Sequence, residues 1–86
     1  SMLPIPEGAY VICRYADDWS SIKNNTCCVF VTESQGIVYK RLINNIKKNQ
    51  SFTLVSDNTQ YDAFDVDVED VKEVWPAVGY VSFELP

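Results

Sequence analysis

Apolar and polar positions alternate with a period of two along much of the chain, the spacing of strands whose side chains point to opposite faces. Residues 9–15, Ala-Tyr-Val-Ile-Cys-Arg-Tyr, read as a first strand and residues 26–32 as a second. Glu33-Ser34-Gln35-Gly36 then forms a hairpin loop in which Gly36 supplies a positive φ. The chain returns through Gly36-Ile37-Val38-Tyr39-Lys40-Arg41-Leu42, which therefore pairs with residues 27–31. Residues 51–56 and 61–68 follow as strands, the latter alternating acidic residues with Phe64, Val66 and Val68. Glu69-Asp70 turns the chain into residues 71–74. Pro76 lacks the donor a ladder needs and predicts an edge or a bulge before a last strand over residues 77–85.

The segments between these strands are polar. Residues 1–8 carry Pro4 and Pro6, which favour extended or turn backbone over helix. Residues 16–25 are turn-rich, and Trp19 and Ile22, at i and i+3, anchor one short helical turn to the core. Residues 42–50 give an ambiguous pattern; a bulged strand end followed by a polar turn is the expectation. Several short strands with no long helix predict an all-β fold, a small β-sandwich or partly open barrel. With no repeat and no linker, residues 1–86 are expected to be one domain.

Composition narrows the functional classes. At 47% hydrophobic and 13% aromatic residues the chain can build a core, although 86 residues bury only ~60–65% of the unfolded surface. A net charge of -5 argues against a direct nucleic-acid surface, and Lys40-Arg41 and Lys47-Lys48 are the densest basic groups. No apolar run approaches the ~18 residues of a membrane span, and no signal-peptide pattern is present. Three cysteines, Cys13, Cys27 and Cys28, are an odd number without C-x-x-C spacing. Cys27 and Cys28 are adjacent, so on a strand they face opposite sides and at most one lines the core. Free structural thiols in a reducing cytoplasm are expected, with no membrane contact. The chain has no histidine, which argues against zinc and excludes every His-based triad. No metal or small-molecule cofactor is expected, and a hydrolase made from this chain needs a different base.

The strand around Lys40 offers one. Ile37, Tyr39 and Arg41 point to one side, and Val38, Lys40 and Leu42 to the other. If the second side is the core, Lys40 is partly dehydrated between two aliphatic neighbours. Burial disfavours an ammonium, and a neutral lysine is a general base. If Tyr39 is the inward residue, Lys40 is an ordinary surface lysine. The alternation alone leaves both assignments open.

The N-terminal stretch Ser1-Met2-Leu3-Pro4-Ile5-Pro6-Glu7-Gly8 fits S-M-x-P-x-x-x-G, followed by the apolar Tyr10-Val11-Ile12-Cys13 and later by Val38-Tyr39-Lys40-Arg41-Leu42. Together with Leu54-Val55-Ser56-Asp57-Asn58, Tyr61 and Ala77-Val78-Gly79-Tyr80-Val81, the chain resembles the C-terminal domain of LexA-like and phage-type repressors, the S24 peptidase family. The resemblance implies a serine–lysine dyad with Ser1 as nucleophile and Lys40 as base. It also implies self-cleavage that inactivates a transcriptional regulator after a DNA-damage signal. Met2 and Pro4 would shape the loop and Gly8 the turn into the first strand; Arg41, on the other side of its strand from Lys40, fits an ion pair.

The family's partners follow in the same way. A homodimer is expected through the apolar terminal strand, with a recombinase-type co-protease filament as a further partner. DNA would be reached only through an N-terminal helix-turn-helix domain absent from this chain. The family cuts an Ala-Gly or Cys-Gly bond upstream of the serine. Neither dipeptide occurs here, so the chain as given does not cleave itself. Two alternatives share the fold: a proteolytically inactive dimerisation module, and an accessory subunit of an error-prone DNA polymerase. Signal peptidase also uses a Ser–Lys dyad, but the Gly/Pro-rich continuation of that family after the lysine is missing.

Overall fold

A computed structural model describes residues 10–58 and 60–81. Six antiparallel strands make up most of it: β1 (Tyr10–Cys13), β2 (Cys27–Thr32), β3 (Gly36–Asn45), β4 (Ser51–Val55), β5 (Phe64–Asp67) and β6 (Val71–Val81). One short helix, α1 (Ile46–Asn49), and two single 3₁₀ turns, at Trp19–Ser21 and Val68–Asp70, complete the described elements. The all-β expectation holds. The strands form one sheet in the order β1-β6-β2-β3-β4-β5, and among the described residues no second sheet stacks on it as a sandwich requires.

The connection between β5 and β6 forces that sheet to curl. β5 is an edge strand, and β6 lies four strand positions away from it. In a flat sheet that is about 19 Å at the usual strand spacing. Only the Val68–Asp70 turn joins the two strands, and a 3₁₀ turn of that length advances no more than about 8 Å. The sheet therefore bends round on itself, as a partly open barrel does. Glu33 N donates to Asp70 O, and Ser34 donates to the Asp70 carboxylate from both its amide and its hydroxyl, tying the hairpin loop to that turn.

The inside of the curl is the core. Cys28 and Phe30 of β2, Leu42 of β3, Phe52 and Leu54 of β4, Val66 of β5, and Val71 and Val74 of β6 pack there. On β2, β3, β4 and β5 they belong to the inward half of the alternation, whereas Val71 and Val74, three apart on β6, both face inward because the β2–β6 register shifts between Val31 and Thr32. Phe30 faces Val38 and Val74, Leu42 faces Leu54, and Phe52 faces Val66. The short helical turn expected from Trp19 and Ile22 is present. Asp18 caps it by accepting from Ser20 N, and the Trp19 ring lies 6.0 Å from that of Phe52. Gly36 takes φ 69° in the hairpin loop, and Lys40 pairs with Cys28 as expected.

Three expectations are corrected. β3 runs through to Asn45 and is followed by a helical turn, where a bulged end and a polar turn were expected. Asn44 explains the difference: its Nδ2 donates to the carbonyls of Trp19 and Ile22, and its Oδ1 accepts from Ile46 N. A polar residue on the inner face is thus satisfied by capping the neighbouring turn, and Gln50 closes α1 in the left-handed region at φ 58°. Strand pairing before β6 begins only at Phe64, because residues 60–63 form turn and irregular backbone. Finally, Pro76 does not break its strand. β6 pairs with β2 as far as Pro76 and with β1 from Ala77 onward. The Pro76 carbonyl accepts from Arg14 N beside the register shift between Ile12 and Cys13. The proline therefore sits where β6 passes from one partner to the other, and its missing donor falls at that irregularity.

Candidate functional site

Lys40 is the residue on which the chemistry turns. It occupies β3 on the same side as Val38, Leu42 and Asn44, with Cys28 as its cross-strand neighbour on β2. Leu42 and Cys28 are fully buried, and Lys40 itself is half-buried. The alternation's open choice is therefore decided: Tyr39 lies on the outer face, and the Lys40 stem runs along the inner one. The amine reaches the margin of the core, where Nζ stands 5.9 Å from the centre of the Tyr61 ring. That is within cation–π range. Among the described residues no carboxylate pairs with it.

Ser1, Met2, Pro4 and Gly8 lie outside the described residues, so the structure places the lysine of the expected dyad and not its serine.

Arg41, the next residue, behaves as expected of an ion-pair former. Its Nη2 lies 2.9 Å from Asp57 Oδ1, Nε donates to the same oxygen at 3.1 Å, and Nη1 donates to Asn25 O at 3.3 Å. The Arg41 side chain is 12% exposed and that of Asp57 55%, so a well-covered guanidinium meets a carboxylate open to solvent. The pair joins three segments: the turn at Asn25, strand β3, and the residues that follow β4. A groove of about 190 Å3 beside the pair is lined by Lys40 together with Cys27, Tyr39, Arg41, Val55 and Asp57, so part of Lys40 borders the same groove as Arg41.

The cysteines divide between the two faces. Cys28 belongs to the core, whereas Cys27 is 3% exposed on the outer face. Adjacent residues face opposite sides, as the alternation requires, but both are buried. All three thiols are free. Burial pushes the Cys28 thiol up to about 12, and burial followed by the neighbouring Cys27, to which it is hydrogen-bonded, pushes the Tyr39 phenol up to about 12. Both groups stay protonated in the fold at a pH where the unfolded chain ionises them. The unfolded state then binds fewer protons, so stability falls as pH rises through the window from about 9 to about 12. Urea denaturation across that range is expected to give a declining stability, with a shallower decline for Cys28→Val. An equal slope in both proteins would contradict the buried, protonated thiol.

Among the described residues no group of three or more His, Cys, Asp or Glu is placed to hold a metal ion, and no helix is long and apolar enough to cross a membrane. Comparison with family models, curated proteins and solved structures gives no match.

Tyr61 is the residue the sequence reading passed over. It entered only as part of the Ser56-Asp57-Asn58 pattern, and nothing in the alternation assigns it to Lys40. The signal lies in that pattern's hydrogen bonds. Asn58 accepts from Gln60 N through its side chain and from Tyr61 N through its carbonyl, which folds the chain back toward β3.

Proposed function

We propose that this chain is the C-terminal domain of an S24-type bacterial or phage transcriptional regulator, in which Ser1 and Lys40 hydrolyse a peptide bond upstream and so inactivate the regulator. The observation that carries the reading is the position of Lys40. It is a lysine whose stem lies along the core face of a curled antiparallel sheet and whose amine has no described carboxylate partner. The serine is assigned from the motif Ser1-Met2-x-Pro4 alone. A chain without histidine has few other bases to offer a serine.

In this reading the Lys40 amine takes the proton of the Ser1 hydroxyl as Oγ attacks the scissile carbonyl. The resulting ammonium returns that proton to the departing amide nitrogen as the C–N bond breaks. Water then attacks the acyl-serine ester, losing a proton to Lys40, and the proton passes to Ser1 Oγ as the acid product leaves. Backbone N–H groups near the serine stabilise the oxyanion. The test is self-cleavage of the longer parent chain, with and without Lys40.

The inactive dimerisation module is the second reading, and a separate observation favours its dimer. Tyr10 and Ile12 of β1 and Val78, Tyr80 and Val81 of β6 are all exposed where these two strands pair. The terminal strand, expected from residue 78 onward to offer a free edge, lies instead between β1 and β2 in the sheet. The two-fold contact that a regulator reading paired half-sites requires would therefore use the apolar faces of this two-stranded end. Analytical ultracentrifugation is expected to give a mass above that of one chain, reduced to monomer by Val78→Asp. Monomer at every concentration in the unsubstituted protein would remove the dimer from both readings. An accessory subunit of an error-prone polymerase has the same fold expectation, and the parent chain upstream of Ser1 separates it by lacking a helix-turn-helix.

A further inference from the structure

Lys40 and Arg41 are neighbours on β3 that face opposite sides of the sheet, yet both engage the short stretch between β4 and β5. On the outer face Arg41 holds Asp57 with two hydrogen bonds to one carboxylate oxygen. On the inner face the Lys40 amine stands over the Tyr61 ring. Asn58 joins the two grips: its amide donates to Ser56 Oγ, and its side chain and carbonyl accept from Gln60 N and Tyr61 N. The ion pair thereby anchors the chain from which the Tyr61 ring is presented to the amine.

We infer that Tyr61 is a positioning residue for Lys40: its ring, anchored through the Arg41–Asp57 pair, holds the amine in a fixed resting position. An aromatic face attracts an ammonium and gives nothing comparable to a neutral amine. Contact with the ring therefore holds the amine at the ring and away from other partners. To act as a base the amine must leave the ring, and the contact restrains the site until it does. The base role rests on the dyad reading above. The contact between ring and amine does not.

Tyr61 is 64% exposed, so its replacement leaves the core intact. The experiment is competitive acylation of the intact protein with acetic anhydride, read by mass spectrometry as the rate at Lys40 against the rates at exposed Lys47 and Lys48 in the same molecule. Tyr61→Leu is expected to raise the Lys40 rate by about twofold to fivefold, the size of an exposed cation–π contact. Tyr61→Phe, which keeps the ring, is expected to match the unsubstituted protein. Asp57→Asn is expected to raise the rate by less than Tyr61→Leu, because it loosens the anchor and leaves the ring. An unchanged Lys40 rate in Tyr61→Leu, or an equal rise in Tyr61→Phe, overturns the assignment. Labelling needs neither Ser1 nor a scissile bond, so a parent chain that cleaves without Lys40 would end the dyad reading while leaving this result in place.

Discussion

Lys40→Ala in the longer parent chain is expected to slow self-cleavage by about 10²–10⁴-fold, the usual contribution of a positioned general base. The residue sits on the inner face between Val38 and Leu42, and alanine there removes the amine without adding bulk. The lost stem leaves neighbours held by the β2–β3 and β3–β4 ladders, so a folded, inactive protein is expected. Circular dichroism and the apparent mass should match those of the unsubstituted chain, which separates loss of chemistry from loss of fold. Ser1→Ala should produce a loss of similar size, and the double substitution little more, because residues acting as a unit are not additive. Cleavage by Lys40→Ala at the unsubstituted rate would leave the chain with a fold and no assigned chemistry.

The second large effect concerns stability. Phe52 is fully buried, and its ring lies 5.9 Å from Phe30 and 6.0 Å from Trp19. It thus joins β4 to β2 across the curl and to the 3₁₀ turn that covers the core. Phe52→Ala is expected to cost about 3–5 kcal/mol, combining lost burial with the cavity left behind. Domains of this size have total stabilities of order 5–15 kcal/mol, so the substitution removes much of the margin. For a domain of 60–100 residues each kcal/mol lowers Tm by roughly 4–8 °C, which makes the shift easy to read in a thermal melt. A loss below about 1 kcal/mol would mean that the rings of Phe30 and Trp19 close the gap, or that the core is centred elsewhere.

Local chemistry made much of the fold legible. The β2–β3 hairpin could be read because Gly36 separates two alternating runs and tolerates a positive φ. The turn at Trp19 could be read because Trp19 and Ile22, at i and i+3, share a side; that Asp18 caps it emerged only from the structure. Arg41 could be read as an ion-pair former because it and Lys40 are consecutive on a strand. Asn44 could not, because an asparagine on an inner face is unfavourable until carbonyls arrive to accept from it. Those of Trp19 and Ile22 come from more than twenty positions earlier in the chain. Pro76 was legible in part: the irregularity expected beside it is present, but that the strand runs on through it by changing partners was not.

The amino-acid sequence by itself determined the all-β character, the β2–β3 hairpin and which β3 side chains share a side, because a period of two is a property of extended backbone and needs no partner. It also determined the absence of histidine chemistry. The end of β3, the start of β5 and the continuity of β6 through Pro76 it did not determine. Only the tertiary structure decided which side of β3 is inward, that β6 joins β1 to β2, and that Tyr61 stands over Lys40. Each of those depends on pairing between distant segments, and on the short link between β5 and β6 that bends the sheet. Alternation names two faces. Closure of the sheet chooses the dry one.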